Sequence, residues 1–346
     1  MQSEGKIVLK LSVGYQNSEK YSFSSIVEQY SQSIEEVYFA WVDNPSGRSM
    51  IGGYDGYFDY SLQNTLIDEL KRIKEKDIKL DLLFNANCYG EDAISEVQRG
   101  RVYSVIDFLE EQGIRPDIVT TTSPAIAYMI KKQYDNIELK ASVNMRISSV
   151  KGMQYVSHLF DSYCVAKECN RDLERLKQLR KWATDNGKKI TILANSGCMR
   201  ECSGQIFHDN MVAHEAQISK QKNIDFLPYM CWTYLKDKKN FAAVMQNTWI
   251  RPEDIDQYEG LADTIKLATR AHQLPAMVIG AYARRQYFGN LLDLFEPGFS
   301  PAFAPYTIDS SKIPADFWNV TTECDKDCIH CDYCKNVLEN SLVLNL

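Results

Sequence analysis

Eight apolar runs of strand length, each followed by a segment with helical periodicity or a polar loop, constrain this chain more than any other feature. The runs cover residues 6–13, 36–42, 78–84, 117–121, 139–143, 162–166, 189–194 and 262–268. Between them, Leu62, Leu66, Ile67 and Leu70 recur at three and four residues within 60–76, the spacing of one helix face. A second helix is predicted over 92–112, ending at Gly113, and a charged one over 170–184. Ser123-Pro124 reads as a cap followed by proline in the first helical turn. Strands that alternate with helices form parallel sheets, and eight such units close into a barrel. An open doubly wound sheet would carry a Gly-x-Gly-x-x-Gly turn after its first strand, and only Gly14 stands there. The expected fold is therefore α/β, a (β/α)8 TIM-like barrel over 1–274. A cysteine-rich C-terminal extension over 275–346 is expected to pack on it, with a helix near 278–294 and breaks at Pro297, Pro301, Pro305 and Pro314.

The 346 residues are 45% hydrophobic and 25% charged, enough apolar chain for a full core. A net charge of −7 argues against broad nonspecific nucleic-acid binding, although a local basic groove would be hidden in that sum. No stretch approaches the ~18–20 apolar residues of a membrane span. The N-terminal Met1-Gln-Ser-Glu-Gly-Lys6 lacks the basic and apolar regions of a signal peptide. The expected compartment is the cytoplasm. There, ten cysteines point to metal ligation or redox chemistry rather than to disulfides.

The cysteines fall into two groups. Cys198 and Cys202 follow the seventh strand on a loop containing Gly197, and Cys231 comes in the next short segment. Soft thiolates at this spacing suit an iron–sulfur cluster or zinc. In a barrel the strand C-termini meet on one face, so Cys88, after the third strand, can join them as a fourth ligand. Cys169 is its rival, and Cys164, inside a strand, reads as core. The second group, Cys324, Cys328, Cys331 and Cys334, packs four thiols into eleven residues. A [4Fe–4S] cluster fits this set, and a small zinc knot is the alternative. Its first three cysteines match the Cys-x3-Cys-x2-Cys of radical S-adenosylmethionine enzymes. There the motif precedes the catalytic barrel, whereas here only twelve residues follow Cys334.

His208 and His214, close behind Cys202, are candidates for metal ligation or catalysis. Asn85, Asn144, Arg146, Asn195, Lys266 and Arg270 fall at strand C-terminal ends, where a barrel builds its active site. The Gly- and Tyr-rich segment 52–60 reads as a lid or a packed surface loop. No His-Glu-x-x-His motif occurs, since His214-Glu215 is followed by Ala-Gln-Ile.

With these residues in view, the sequence resembles the peptidase U32 family. The resemblance lies in the first strand with its glycine exit, Asp117-Ile-Val-Thr-Thr-Thr122, and the strand leading into Cys198. It is closest over Trp249-Ile-Arg-Pro-Glu-Asp254 and Asp263-Thr-Ile-Lys-Leu-Ala-Thr-Arg270. The family includes proteins called peptidases and iron–sulfur proteins of oxygen-independent hydroxylation. In the latter, four cysteines at the barrel mouth hold a [4Fe–4S] cluster. The resemblance implies that role for Cys198, Cys202 and Cys231, and an anion-binding role for Lys266 and Arg270, with Arg270 also a catalytic candidate. The Cys198 segment lacks the peptidase Gly-small-aliphatic-Cys order, and the four-cysteine tail is foreign to simpler members.

The expected activity is an iron–sulfur redox enzyme with two [4Fe–4S] clusters, hydroxylating a small organic, peptide or nucleotide substrate without O2. An acidic small-molecule or peptide substrate, an electron donor and a partner subunit are the expected partners. The alternatives are a U32-type hydrolase, through a pair such as Cys198 and His208, and a non-catalytic iron–sulfur or zinc scaffold.

Overall fold

The computed structural model describes residues 9–18, 20–42, 44–47 and 60–345. Eight parallel strands close a barrel in sequence order: β1 (Lys10–Gly14), β2 (Ile34–Ala40), β3 (Lys79–Phe84), β4 (Ile118–Thr121), β5 (Glu138–Ala141), β6 (Ser162–Cys164), β7 (Lys189–Leu193) and β8 (Thr264–Leu267). Register closes the ring, with Ser12 of β1 opposite Glu36 on one side and Lys266 on the other. The strand face turned away from the lumen is apolar because helices cover the outside of the barrel. Val37, Phe39, Leu80, Leu82, Ile190 and Ile192 are accordingly all buried. Residues 6–8 and the segment 52–59 of the expected lid lie outside the described residues.

Six helices follow the first six strands in turn: α1 (Phe23–Gln29), α2 (Tyr60–Lys74), α3 (Glu96–Glu111), α4 (Pro124–Gln133), α5 (Val150–Val156) and α6 (Leu173–Asp185). Helix α2 buries Leu66, Ile67, Leu70 and Ile73, extending the stripe read from the sequence by one turn. Helix α4 opens as Ser123-Pro124 foretold, the serine hydroxyl accepting from the Ile126 N–H at 3.3 Å. After β7 come three short helices, α7 (Gln205–Ala213), α8 (Glu215–Ile218) and α9 (Met230–Tyr234).

Two predicted helices differ in extent. The one expected over 170–184 begins at Leu173, where Asp172 caps it, after a 3-10 turn over Lys167–Arg171. The one expected over 278–294 is α10 (Pro275–Ala283). Arg285 takes a left-handed φ of +56° just beyond α10, which is incompatible with continuing it, and Leu291–Leu294 is a separate 3-10 turn.

A polar layer crosses the barrel interior. Lys140 on β5 donates to Glu36 on β2 at 2.5 Å and lies 3.7 Å from Asp81 on β3. Because β2 and β5 are not neighbours in the sheet, this bond spans the lumen.

The C-terminal part carries α11 (Ser300–Phe303), β9 (Tyr306–Ile308), α12 (Phe317–Glu323), α13 (Tyr333–Ser341) and β10 (Leu342–Leu344), with β9 and β10 antiparallel. The Trp249–Asp254 motif fastens this part down. Arg251 grips Asp254 through two bonds of 2.7 and 2.9 Å and donates to the Pro314 carbonyl. Trp249 stacks on Phe317 with ring centroids 5.4 Å apart. No helix among the described residues is long and apolar enough to cross a membrane.

Candidate active site and cysteine centres

The strand C-termini share one face, and a cavity opens there. Asn85 after β3, Asn144 and Arg146 after β5, Lys266 on β8 and Arg270 beyond it all line this cavity. Five of the six residues read from the sequence as substrate-binding are thus brought together. Asn195 is not among them. It is fully buried, donates to the Ala268 and Leu294 carbonyls, and accepts from the Ala268 N–H. Its amide joins the ends of β7 and β8 to the later chain, so its role is structural.

The mouth is rich in cations. Burial pushes the Lys266 ammonium below its ordinary pKa, against the pull of Asp81, and Nζ sits 3.4 Å from the centre of the Tyr38 ring. Arg146, at φ +53°, pairs through Nη2 with Asp209 at 2.5 Å. Its Nε is buried and has no hydrogen-bond partner among the described residues. Arg270 donates to the Ser46 hydroxyl, which in turn donates to Asn85 Oδ1. Arginine forks suit a carboxylate or phosphate.

A second cavity adjoins the first. Cys198, Cys202 and Cys231 line it together with His208 and Glu215, while Cys198, Gln205, Ala271 and Glu296 line both cavities. The Cys198 loop is firmly held. Lys167 Nζ donates to the carbonyls of Cys198 at 3.2 Å and Met199 at 2.8 Å, and Asn247 donates to the Gly197 carbonyl. Glu201 is left-handed at φ +53°, a conformation costly for a residue with a side chain and found where a loop is shaped for a purpose. Burial, then the neighbouring Cys198 and Cys202, push the Cys231 thiol up to about 11.

Neither rival for the fourth sulfur lines this cavity. Cys88 accepts from the Gly90 N–H in the β3 exit loop, and the His214 ring lies beside the same glycine. Cys169 is fully buried in the Lys167–Arg171 turn, where burial pushes its thiol up to about 12. Cys164 belongs to the core, as its strand position suggested. His208, packed edge-on against Tyr229 at 5.1 Å, Glu215 and Glu296 are the other metal-capable side chains lining the cavity.

The four tail cysteines line a third cavity, together with Tyr333 and Lys326. Cys324 and Cys331 are exposed, whereas Cys328 and Cys334 are partly buried. Among the described residues, no three histidine, cysteine, aspartate or glutamate side chains stand close enough as they are to hold one metal ion. The thiols line their cavities without meeting at a point. Their soft donor chemistry fits iron–sulfur or zinc in both places.

Several residues of these sites went unread in the sequence. Lys167 and Asp209 carry no motif. Arg200 stands inside Cys198-Met-Arg-Glu-Cys202, a position that could have marked it, and donates to Cys328 Sγ at 3.7 Å.

No protein-family model matches the chain. A protein of Methanocaldococcus jannaschii named "Uncharacterized protease MJ1657" is 25% identical over 283 residues, covering 80% of this chain and 81% of that protein. The solved structure of the U32 peptidase Mk0906 superposes with a TM-score of 0.54 at 13% identity, over 77% of this chain and 94% of that one. The sequence relationship thus extends across four-fifths of the chain, and the barrel has the fold of a U32 peptidase.

Proposed function

We propose that this chain is a U32-type protein and an iron–sulfur redox enzyme that hydroxylates an anionic organic substrate without O2. The observation that carries the reading is the shared wall: three thiols line a cavity that meets the cation-rich barrel mouth through Cys198, Gln205, Ala271 and Glu296. Cys198, Cys202 and Cys231 would hold a [4Fe–4S] centre, with His208 or Glu215 near its remaining position. Such a centre supplies electron transfer and, at an iron without a cysteine, Lewis acidity.

The chain's own residues supply the rest. Arg146, Lys266 and Arg270 bind the anionic group, and the Asn85 and Asn144 amides orient it. Lys167 pins the Cys198 loop so that the thiols keep their place beside the substrate. His208 can hold or move a proton at its imidazole. An acidic oxygen donor balances the reaction as R–H + X–OH → R–OH + X–H, so an external electron donor serves only to keep the centre in its working state. The substrate may be named by chemistry alone: a small acid, a peptide or a nucleotide with a carboxylate or phosphate.

A cysteine hydrolase is the second reading. It is favoured by the relative's name and by Cys198 and His208 lining the same cavity. Hydrolysis needs one thiolate, and three cysteines line this cavity, with the Cys231 thiol pushed up by burial. Iron and acid-labile sulfide, measured on protein purified under nitrogen, separate the two. The redox reading expects visible absorption and a loss of about four irons and four sulfides on Cys198→Ala. An iron-free protein that cleaves peptides, and stops doing so on Cys198→Ala or His208→Ala, would establish the hydrolase instead.

A further inference from the structure

Arg171 presents a problem of charge. It is only 6% exposed, and its guanidinium lies 4.9 Å from the centre of the Trp249 ring and 5.1 Å from that of Phe317. It donates to two backbone carbonyls, those of Met245 and Trp249, and among the described residues it forms no ion pair with a carboxylate. A buried cation without a counter-charge is strongly unfavourable. Burial pulls the Arg171 guanidinium down to about 10, opposed by Cys334, Tyr258, Cys324 and Asp254 in turn. Cys334 Sγ approaches the same Met245 carbonyl at 3.8 Å. As neutral thiols these cysteines would leave the arginine only Asp254, which Arg251 already grips.

Two further groups bear on these cysteines. Tyr333, which lines it, has a buried hydroxyl with no hydrogen bond among the described residues. Arg200 reaches out of the barrel's own cysteine loop to Cys328 Sγ at 3.7 Å. Besides Asp325, Lys326 and Asp327 of the cavity lining, two arginines and a spare donor therefore stand beside these sulfurs.

We propose that Cys324, Cys328, Cys331 and Cys334 hold a tetrathiolate metal centre whose negative charge is balanced by Arg171 and Arg200. Four thiolates around either a [4Fe–4S]2+ core or a Zn2+ ion leave two negative charges, matching two arginines. The partly exposed thiols must swing inward to bind, and the Tyr333 hydroxyl then gains a sulfur acceptor. Arg200 makes the tail centre part of the active-site architecture, since the loop that carries Cys198 and Cys202 also carries the donor to Cys328. This site does not depend on iron in the barrel.

The test is metal and sulfide analysis of the full chain in a Cys198→Ser/Cys202→Ser background, after anaerobic purification. The tail centre is expected to remain there, as about four irons with sulfide or as one zinc, and to vanish on adding Cys328→Ser/Cys334→Ser. The two metals distinguish the two sources of the same charge. Arg200→Gln in the otherwise native chain is expected to retain the metal but release it to a chelator about tenfold faster, the loss of one charge-assisted hydrogen bond. Arg200→Lys should restore most of the difference. Absence of metal from the first variant, with native circular dichroism, would overturn the site. Release from Arg200→Gln at the native rate would overturn the charge balance. If the barrel reading alone fails, the tail metal stays and only the barrel iron is missing.

Discussion

Gly197 decides how closely the Cys198 loop can approach the chain beyond α10. A Cβ at this position would lie 2.0 Å from the Pro297 carbonyl oxygen and 3.1 Å from Phe295 Cβ. Neither backbone can give way readily, because the Gly197 N–H donates to Glu296 and Asn195 accepts from the same segment. Gly197→Ala should therefore cost about 1–3 kcal/mol or more through overpacking. It should also lower the metal content, because Cys198 is displaced with the loop. Urea unfolding and metal analysis on one preparation check both, and an unshifted midpoint would disprove the steric account. Cys198, Cys202 and Cys231 were legible in the sequence because thiol spacing is a local signal. Asn195 was read as a substrate contact because its position at a strand end is all the sequence shows. Its hydrogen bonds to Ala268 and Leu294 come from chain more than seventy residues away.

At the scale of elements, the turn between β8 and α10 sets the position of Arg270. Thr269 ties this turn to β1, its hydroxyl accepting from the Gly14 N–H at 2.7 Å and donating to the Gly14 carbonyl. Two residues past Arg270, His272 Nδ1 accepts from the Leu274 N–H at the start of α10, which requires that nitrogen to be unprotonated. Burial holds the histidine below its ordinary pKa of 6.5, despite the nearby Asp293. The unfolded chain takes up a proton as pH falls through 6.5, while the folded chain resists. This group's contribution to stability is therefore present above 6.5 and is lost below it. His272→Asn should flatten the pH dependence of unfolding below about pH 6.5 relative to the native chain. Parallel curves for the two proteins would show that His272 does not titrate differently on folding. The sequence placed all eight strands and most of the helices, since period and capping act over a few residues. It overran the helix at 278–294 because the left-handed turn at Arg285 leaves no hydrophobic signature.

At the scale of the whole molecule, Lys140 links strands that do not pair. Burial alone would raise Glu36, but Lys140 beside it holds the carboxyl below its ordinary value, while burial pushes Asp81 up to about 6. Lys140→Met would leave Glu36 inside the barrel without its cation. Breaking a buried ion pair in this way typically costs about 3–5 kcal/mol, to be read from urea unfolding at neutral pH. A Lys140→Met/Glu36→Gln pair should recover part of that loss. Additive losses would mean that the two groups do not interact across the lumen.

The sequence by itself determined the barrel, because alternating strand and helix patterns leave few ways to bury so much apolar chain. It also showed eight of the ten cysteines as candidates for two groups. Only the tertiary structure decided which cysteines share a cavity, separating Cys88 and Cys169 from Cys198, Cys202 and Cys231. It alone brought Arg200 of the barrel loop against Cys328, 128 residues along the chain. The reason is physical: hydrophobic period and thiol spacing are properties of neighbours in sequence. Cavities and charge balance arise between segments that meet only when the barrel has closed.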